Sequence, residues 1–169
     1  TSGSIPMSVL SVFKNHGVFY PLQTFSKNRE LSFAQIPICI EANNNVAKNQ
    51  LTALAKSLSN NLVEMDSEQR KQCHLAAVFA CNFVNHMYVL SEQLLQEKNL
   101  PLDLLKPLIL ETANKVQKLS PAESQTGPAA RNDLLVMEEH LRQLKSDKLE
   151  KIYSFVSSSI QDISELKKD

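Results

Sequence analysis

The chain is 169 residues long, 43% apolar and 21% charged, and its 18 basic residues balance 18 acidic ones. That length buries a substantial core in one domain or one and a half. With no net charge and no polybasic run, the composition argues against nucleic-acid and anionic-membrane partners. The longest apolar-rich stretch, residues 74–90, is interrupted by His74, Asn82, Asn85 and His86, and reads as too short and too polar for a membrane span. No secretory signal is read at the start, and the lack of an initial Met suggests a fragment or a processed start. Cys39, Cys73 and Cys81 are odd in number and irregularly spaced, which favours reduced thiols in a cytoplasmic protein. The spacing of Cys81 to His74 and His86 is not that of a metal site, and none is expected.

In chain order, residues 5–15 read as a short helix. Residues 17–22 and 36–42 are β-branched and aromatic runs bounded by Gly, Pro or Asn, and read as strands. Residues 45–59 carry a helical stripe of Val46, Leu51, Leu54, Ala55 and Leu58 behind an Asn cap at 43–45. A third strand follows at 61–66. This strand–helix–strand order suits an open α/β sheet. From residue 67 the pattern is helical throughout: 67–99, apolar nearly all round at its middle; 100–119, with Pro107 as a kink or restart; then 132–146 and 147–168. The predicted fold is thus predominantly helical. The edge of a Rossmann-like α/β sheet, residues 1–66, precedes an all-α helical bundle domain, residues 67–169.

A nucleotide-binding sheet needs a G-x-G-x-x-G turn for close approach to the pyrophosphate. The glycines are Gly3, Gly17 and Gly127, each alone. If the chain is part of a dehydrogenase, the first half of its nucleotide domain is missing.

"TSGS" at 1–4, "HGVFYPLQTFS" at 16–26, "IPICIEA" at 36–42, "DSEQRKQCHLAAVFACNFVNHMYVL" at 66–90 and "QTGPAARND" at 125–133 occur in that order. Together they resemble the domain of unknown function that follows a Rossmann-like domain in NADP-dependent oxidoreductases. The wider clan includes pyrroline-5-carboxylate reductases, prephenate dehydrogenases and 6-phosphogluconate dehydrogenases. The resemblance implies an oxidoreductase using NADP or NAD, with an N-terminal cofactor domain. It also implies a helical domain that closes over the cofactor and forms a homodimer. The family usually reads His-Pro-Leu where this chain has Tyr20-Pro21-Leu22, so a histidine there is not carried over. Hydroxyacid dehydrogenases of the clan place a Lys four residues before an Asn on the central helix. Here Val78 precedes Asn82 at that distance, which argues against lysine-assisted hydroxyacid chemistry.

The candidate site residues follow from placement. Ser2 and Ser4 lie at an expected strand end, either meeting the cofactor or capping the next helix. Tyr20, Gln23 and Thr24 lie on a strand exit, where Gln23 and Thr24 would bind cofactor and Tyr20 would donate a proton, unless this is a surface turn. His74, Cys81 and Asn85 fall within about 40° on the helical wheel, with Asn82 and His86 on a neighbouring line. They either bond adjacent helices or line a cleft, where Asn82 and His86 would be catalytic and His74 and Asn85 would bind substrate. Asp66, Arg70 and the run from Glu68 to Lys71 read as a solvated first turn. Thr126, Gly127 and Arg131 form either a helix connection, with Gly127 at positive φ, or a clamp for an anionic substrate or phosphate. In the clamp reading Asp133 would hold Arg131. A catalytically silent dimerisation module and a non-redox small-molecule binding protein are the two other classes that fit.

Overall fold

The computed structural model describes residues 2–27 and 30–166. The chain divides into two compact units, Thr1–Lys98 and Asn99–Asp169. The long central helix falls in the first unit, whereas the compositional change read from the sequence lies at that helix's start.

Three strands form the sheet of the first unit in the order β1 (Gly17–Pro21), β2 (Ile38–Ala42), β3 (Leu62–Glu64). β1 runs antiparallel to β2, with Tyr20 opposite Cys39 and Phe19 opposite Ile40. β2 and β3 are parallel and are joined by helix α1 (Asn45–Leu58). α1 starts where Asn44 accepts a hydrogen bond from the Ala47 amide at 3.0 Å, within the expected cap. Successive strand residues point to opposite faces, and directly paired residues share one. Ile38 and Ile40 therefore face α1 and form the core with Ala55, packed by Phe19, Leu51 and Leu62. Cys39, Glu41 and Tyr20 take the opposite face.

That second face receives helix α2 (Ser67–Ala77). Asp66 and Gln69 close a reciprocal capping box at its start. α2 runs without a break through a π turn (Val78–Phe83) into α3 (Val84–Gln96). The whole helix, Ser67–Gln96, has 30 residues and an 18-residue window of mean hydropathy 1.3, none of it buried. By length and composition alone it could cross a membrane. Asn99 in the left-handed region ends it.

Two further expectations change. Residues 5–15 form only one 3₁₀ turn, Met7–Leu10, and neither Ser2 nor Ser4 caps it. Arg70 is not solvated: it is 1% exposed, among the most buried side chains of the chain.

The second unit contains a 3₁₀ turn (Leu102–Leu105) and helices α4 (Lys106–Lys115), α5 (Pro121–Ser124), α6 (Leu134–Gln143) and α7 (Asp147–Glu165). Pro107 stands in the first turn of α4 and marks a restart. The short α5, which the sequence pattern did not reveal, is capped reciprocally by Ser120 and Glu123. Among this unit's described residues only Ala129 and Ser157 are buried.

Candidate functional site

Parity along β1 decides the site. Tyr20 shares the face of Cys39, and α2 covers that face, so the phenol meets the helix. Its Oη lies 3.2 Å from Nδ1 of His74, with the rings edge to face at a centroid distance of 6.4 Å. A cavity of about 390 Å³ opens beside the pair. From the strand exit it is lined by Tyr20, Leu22, Gln23, Thr24 and Phe25, and from the helix by His74, Ala77, Cys81 and Asn82. The π turn winds one extra residue per turn and brings Asn82 to the wall together with Cys81. Asn85 and His86, further along the helix, are exposed and outside the lining.

Burial raises the pKa of Tyr20, reinforced by the neighbouring thiols of Cys73 and Cys39 and opposed by Arg70. The phenol therefore stays protonated through neutral pH. Burial likewise raises the pKa of the Cys39 thiol, with Cys73 adding to the effect. All three cysteines are free, and among the described residues no group of three or more His, Cys, Asp or Glu could hold a metal ion.

Ser2 and Ser4 bond each other at 3.2 Å beside the N-terminal end of this assembly. Gly3 between them is buried against the His74 ring. Thr126, Gly127 and Arg131 belong to the second unit. Gly127 has φ +108°, the positive-φ position expected. The Arg131 amide donates back to the Pro128 carbonyl at 3.2 Å, so Arg131 sits in a turn before α6. Its side chain is exposed. Asp133 caps α6 by accepting from the Val136 amide at 3.3 Å, and no ion pair joins it to Arg131.

A second cavity, about 360 Å³, lies at the C-terminal ends of β2 and β3, beside the first turns of α1 and α2. In an open α/β sheet this is where dinucleotide phosphates bind. The residues here do not fit them. Glu41, Glu64 and Asp66 line the cavity, and Lys48 is paired with Glu64 at 2.7 Å. The Asn44 side chain also takes up the Ala47 amide that an anion would use.

BF3122 from Bacteroides fragilis, which carries a provisional name as an NADP oxidoreductase, is 51% identical to this chain. Its crystal structure superposes with a TM-score of 0.92 over 96% of this chain and 63% of its own. The chain thus spans somewhat under two thirds of that protein's length. Protein TM1727 from Thermotoga maritima, at 24% identity, shares the fold, with a TM-score of 0.81 over 99% of this chain and 68% of its own. No curated protein matches. A model of the domain of unknown function DUF2520 matches residues 36–160, most of the chain, and the chain belongs to that family.

Proposed function

We propose that this chain forms the substrate-side pocket of a cytoplasmic NADP-dependent oxidoreductase, with Tyr20 as proton donor and His74 as its relay. The observation that carries the reading is the Tyr20–His74 hydrogen bond at the wall of a polar cavity. The half-identical Bacteroides protein named as an NADP oxidoreductase supports the cofactor class. When bound, the dinucleotide supplies the hydride; its phosphates are held by residues outside this chain.

The residues present fit the proton side of such chemistry. With the proton on Nδ1, His74 donates to the Tyr20 oxygen and frees the phenolic O–H for a ligand in the cavity. With the proton on Nε2, Tyr20 donates to Nδ1 instead. The first tautomer presents an acid, and the raised pKa of Tyr20 keeps that acid loaded. Once Tyr20 has given up its proton, His74 passes it the Nδ1 proton while Nε2 takes one from solvent, which leaves a neutral ring in the second tautomer. Asn82, Gln23 and Thr24 offer neutral donors and acceptors to orient the ligand. Among the described residues no carboxylate, Lys or Arg lines this cavity, which suits a polar, uncharged group. In the second unit, the exposed Arg131 suits an anionic group in its own right. The active form is a homodimer built through the helices.

The test is steady-state kinetics on the full-length protein with NADPH. Tyr20→Phe should lower kcat/KM about 10²- to 10⁴-fold, with the melting temperature and NADPH affinity unchanged. Turnover by Tyr20→Phe at the wild-type rate would sink the proton-donor role. Failure of the full-length protein to bind NADPH calorimetrically would point instead to a non-redox binding protein.

A further inference from the structure

Arg70 is a buried cation that the proposed proton transfer does not use. It lies one helical turn before His74 on α2, so both side chains reach the same face. Its Nη1 pairs with the Glu41 carboxylate. Its Nε donates to the Ser2 carbonyl at 3.2 Å and its Nη2 to the Ile5 carbonyl at 2.6 Å. The two carbonyls bracket Gly3. Ser67 adds a third tie: it accepts from the Met7 amide at 2.9 Å and donates to Glu41 at 2.9 Å. The segment from Ser2 to Met7 is thereby fixed on α2 at three points.

The consequence falls on His74. A Cβ added at Gly3 would stand 2.5 Å from Cγ of His74 and 2.7 Å from its Nδ1, the nitrogen that bonds Tyr20. These separations are well inside van der Waals contact, so any side chain at residue 3 must displace the imidazole or the segment. The imidazole is thus bounded by Tyr20 on one side and by bare backbone on the other. We infer that Arg70 and Gly3 are positioning residues for the Tyr20–His74 pair: Arg70 clamps the segment, and Gly3 lets it seat against the ring that carries the proton. A planar guanidinium suits this task because it serves the carboxylate and both carbonyls at once. The ammonium of Lys, a single compact point, cannot span all three.

This inference rests on the proposed function only for its effect on rate. Its structural part is tested separately, by the ¹⁵N shifts of the His74 imidazole in full-length protein at fixed pH. Gly3→Ala should move the Nδ1 resonance away from its hydrogen-bonded position. With the melting temperature near wild type, it should lower kcat/KM about 100-fold, the effect of misplacing a reacting group by roughly an ångström. Arg70→Lys should move the same resonance in the same direction; should it fail to fold, Gly3→Ala decides the matter alone. A His74 spectrum unchanged in Gly3→Ala overturns the inference whatever the activity. A shifted spectrum alongside a fully active Tyr20→Phe upholds the positioning and refutes the proposed function alone.

Discussion

A guanidinium buried in a small α/β unit is tolerated only when its donors find acceptors. Arg70 finds them on Glu41, Ser2 and Ile5, all distant in sequence, and so no local pattern marks it as buried. Glu68 and Lys71 beside it do form the solvated pair expected of a first turn. Tyr20 and His74 were both legible as polar groups on apolar elements. Their pairing was not, because it depends on which face of β1 the helix covers. The parity of residues 17–22 against 36–42 held that signal, since pairing Tyr20 with Cys39 puts the phenol opposite Ile38 and Ile40. Burial of Cys39 and Tyr20 carries a pH consequence. Both pKa values are raised by folding, so the folded state holds these protons more tightly than the unfolded chain. The stability they confer is complete below the ordinary thiol range and is lost as pH rises through the folded values. Melting temperature should therefore decline above roughly pH 8.5, and Cys39→Ala should delay the onset of that decline. A second prediction concerns Arg131. If its fork grips an anion, Arg131→Lys should weaken ligand binding nearly as much as Arg131→Ala, by about 30- to 1000-fold. Neither variant should change the melting temperature, because the side chain is exposed. Wild-type affinity in both would leave Gly127–Asp133 as a turn between helices.

At the scale of elements, the strands and longer helices were readable because period and punctuation agree. Asn44, Pro107 and Gly127 stand where a cap, a restart and a positive-φ turn were expected. The π turn at Val78–Phe83 was not readable, because an i→i+5 winding leaves no compositional mark. A uniform α-helical wheel therefore grouped Asn85 with His74, whereas the cavity wall is built from Ala77, Cys81 and Asn82. The 3₁₀ turn at Met7–Leu10 replaced a predicted helix because Ser2 to Met7 is held by Arg70 and Ser67 rather than by its own backbone. The start of α2 bears on the site through the same residues. Its capping box satisfies two backbone amides at once. Asp66→Ala should cost about 1 kcal/mol, a drop of roughly 4–8 °C in melting temperature for a unit of this size. Since Asp66 touches neither Tyr20 nor His74, KM should hold. A rise in KM would mean that fraying of α2 reaches the cavity.

At the scale of the molecule, the apolar surface is unbalanced. In the second unit Leu104, Leu108, Leu110, Leu135, Val156 and Phe155 are exposed, the last at 80% and Leu135 at 81%. In the first, Phe79, Phe83, Val84, Met87, Val89 and Leu94 are exposed along the central helix. A lone soluble chain rarely leaves so many large apolar side chains in water. Two features of that helix favour a protein over a membrane as its cover. Its first turns are committed to the sheet through Arg70, and the segment from Phe79 to Leu94 rises only about 24 Å. The hydrocarbon core of a bilayer is roughly 30 Å thick. In the proposed homodimer a second copy of the chain would cover such helix faces, because a two-fold axis brings the same surface of both copies together. Sedimentation equilibrium of the full-length protein at tens of micromolar should therefore give twice the monomer mass. Leu135→Glu and Phe155→Glu should shift the equilibrium toward monomer, since each would bury an unpaired carboxylate. Neither side chain is buried within its own chain, so helical circular dichroism should stay near wild type. A wild-type protein that sediments as a monomer across that concentration range would remove the dimer from the proposal and leave the apolar faces to a different protein.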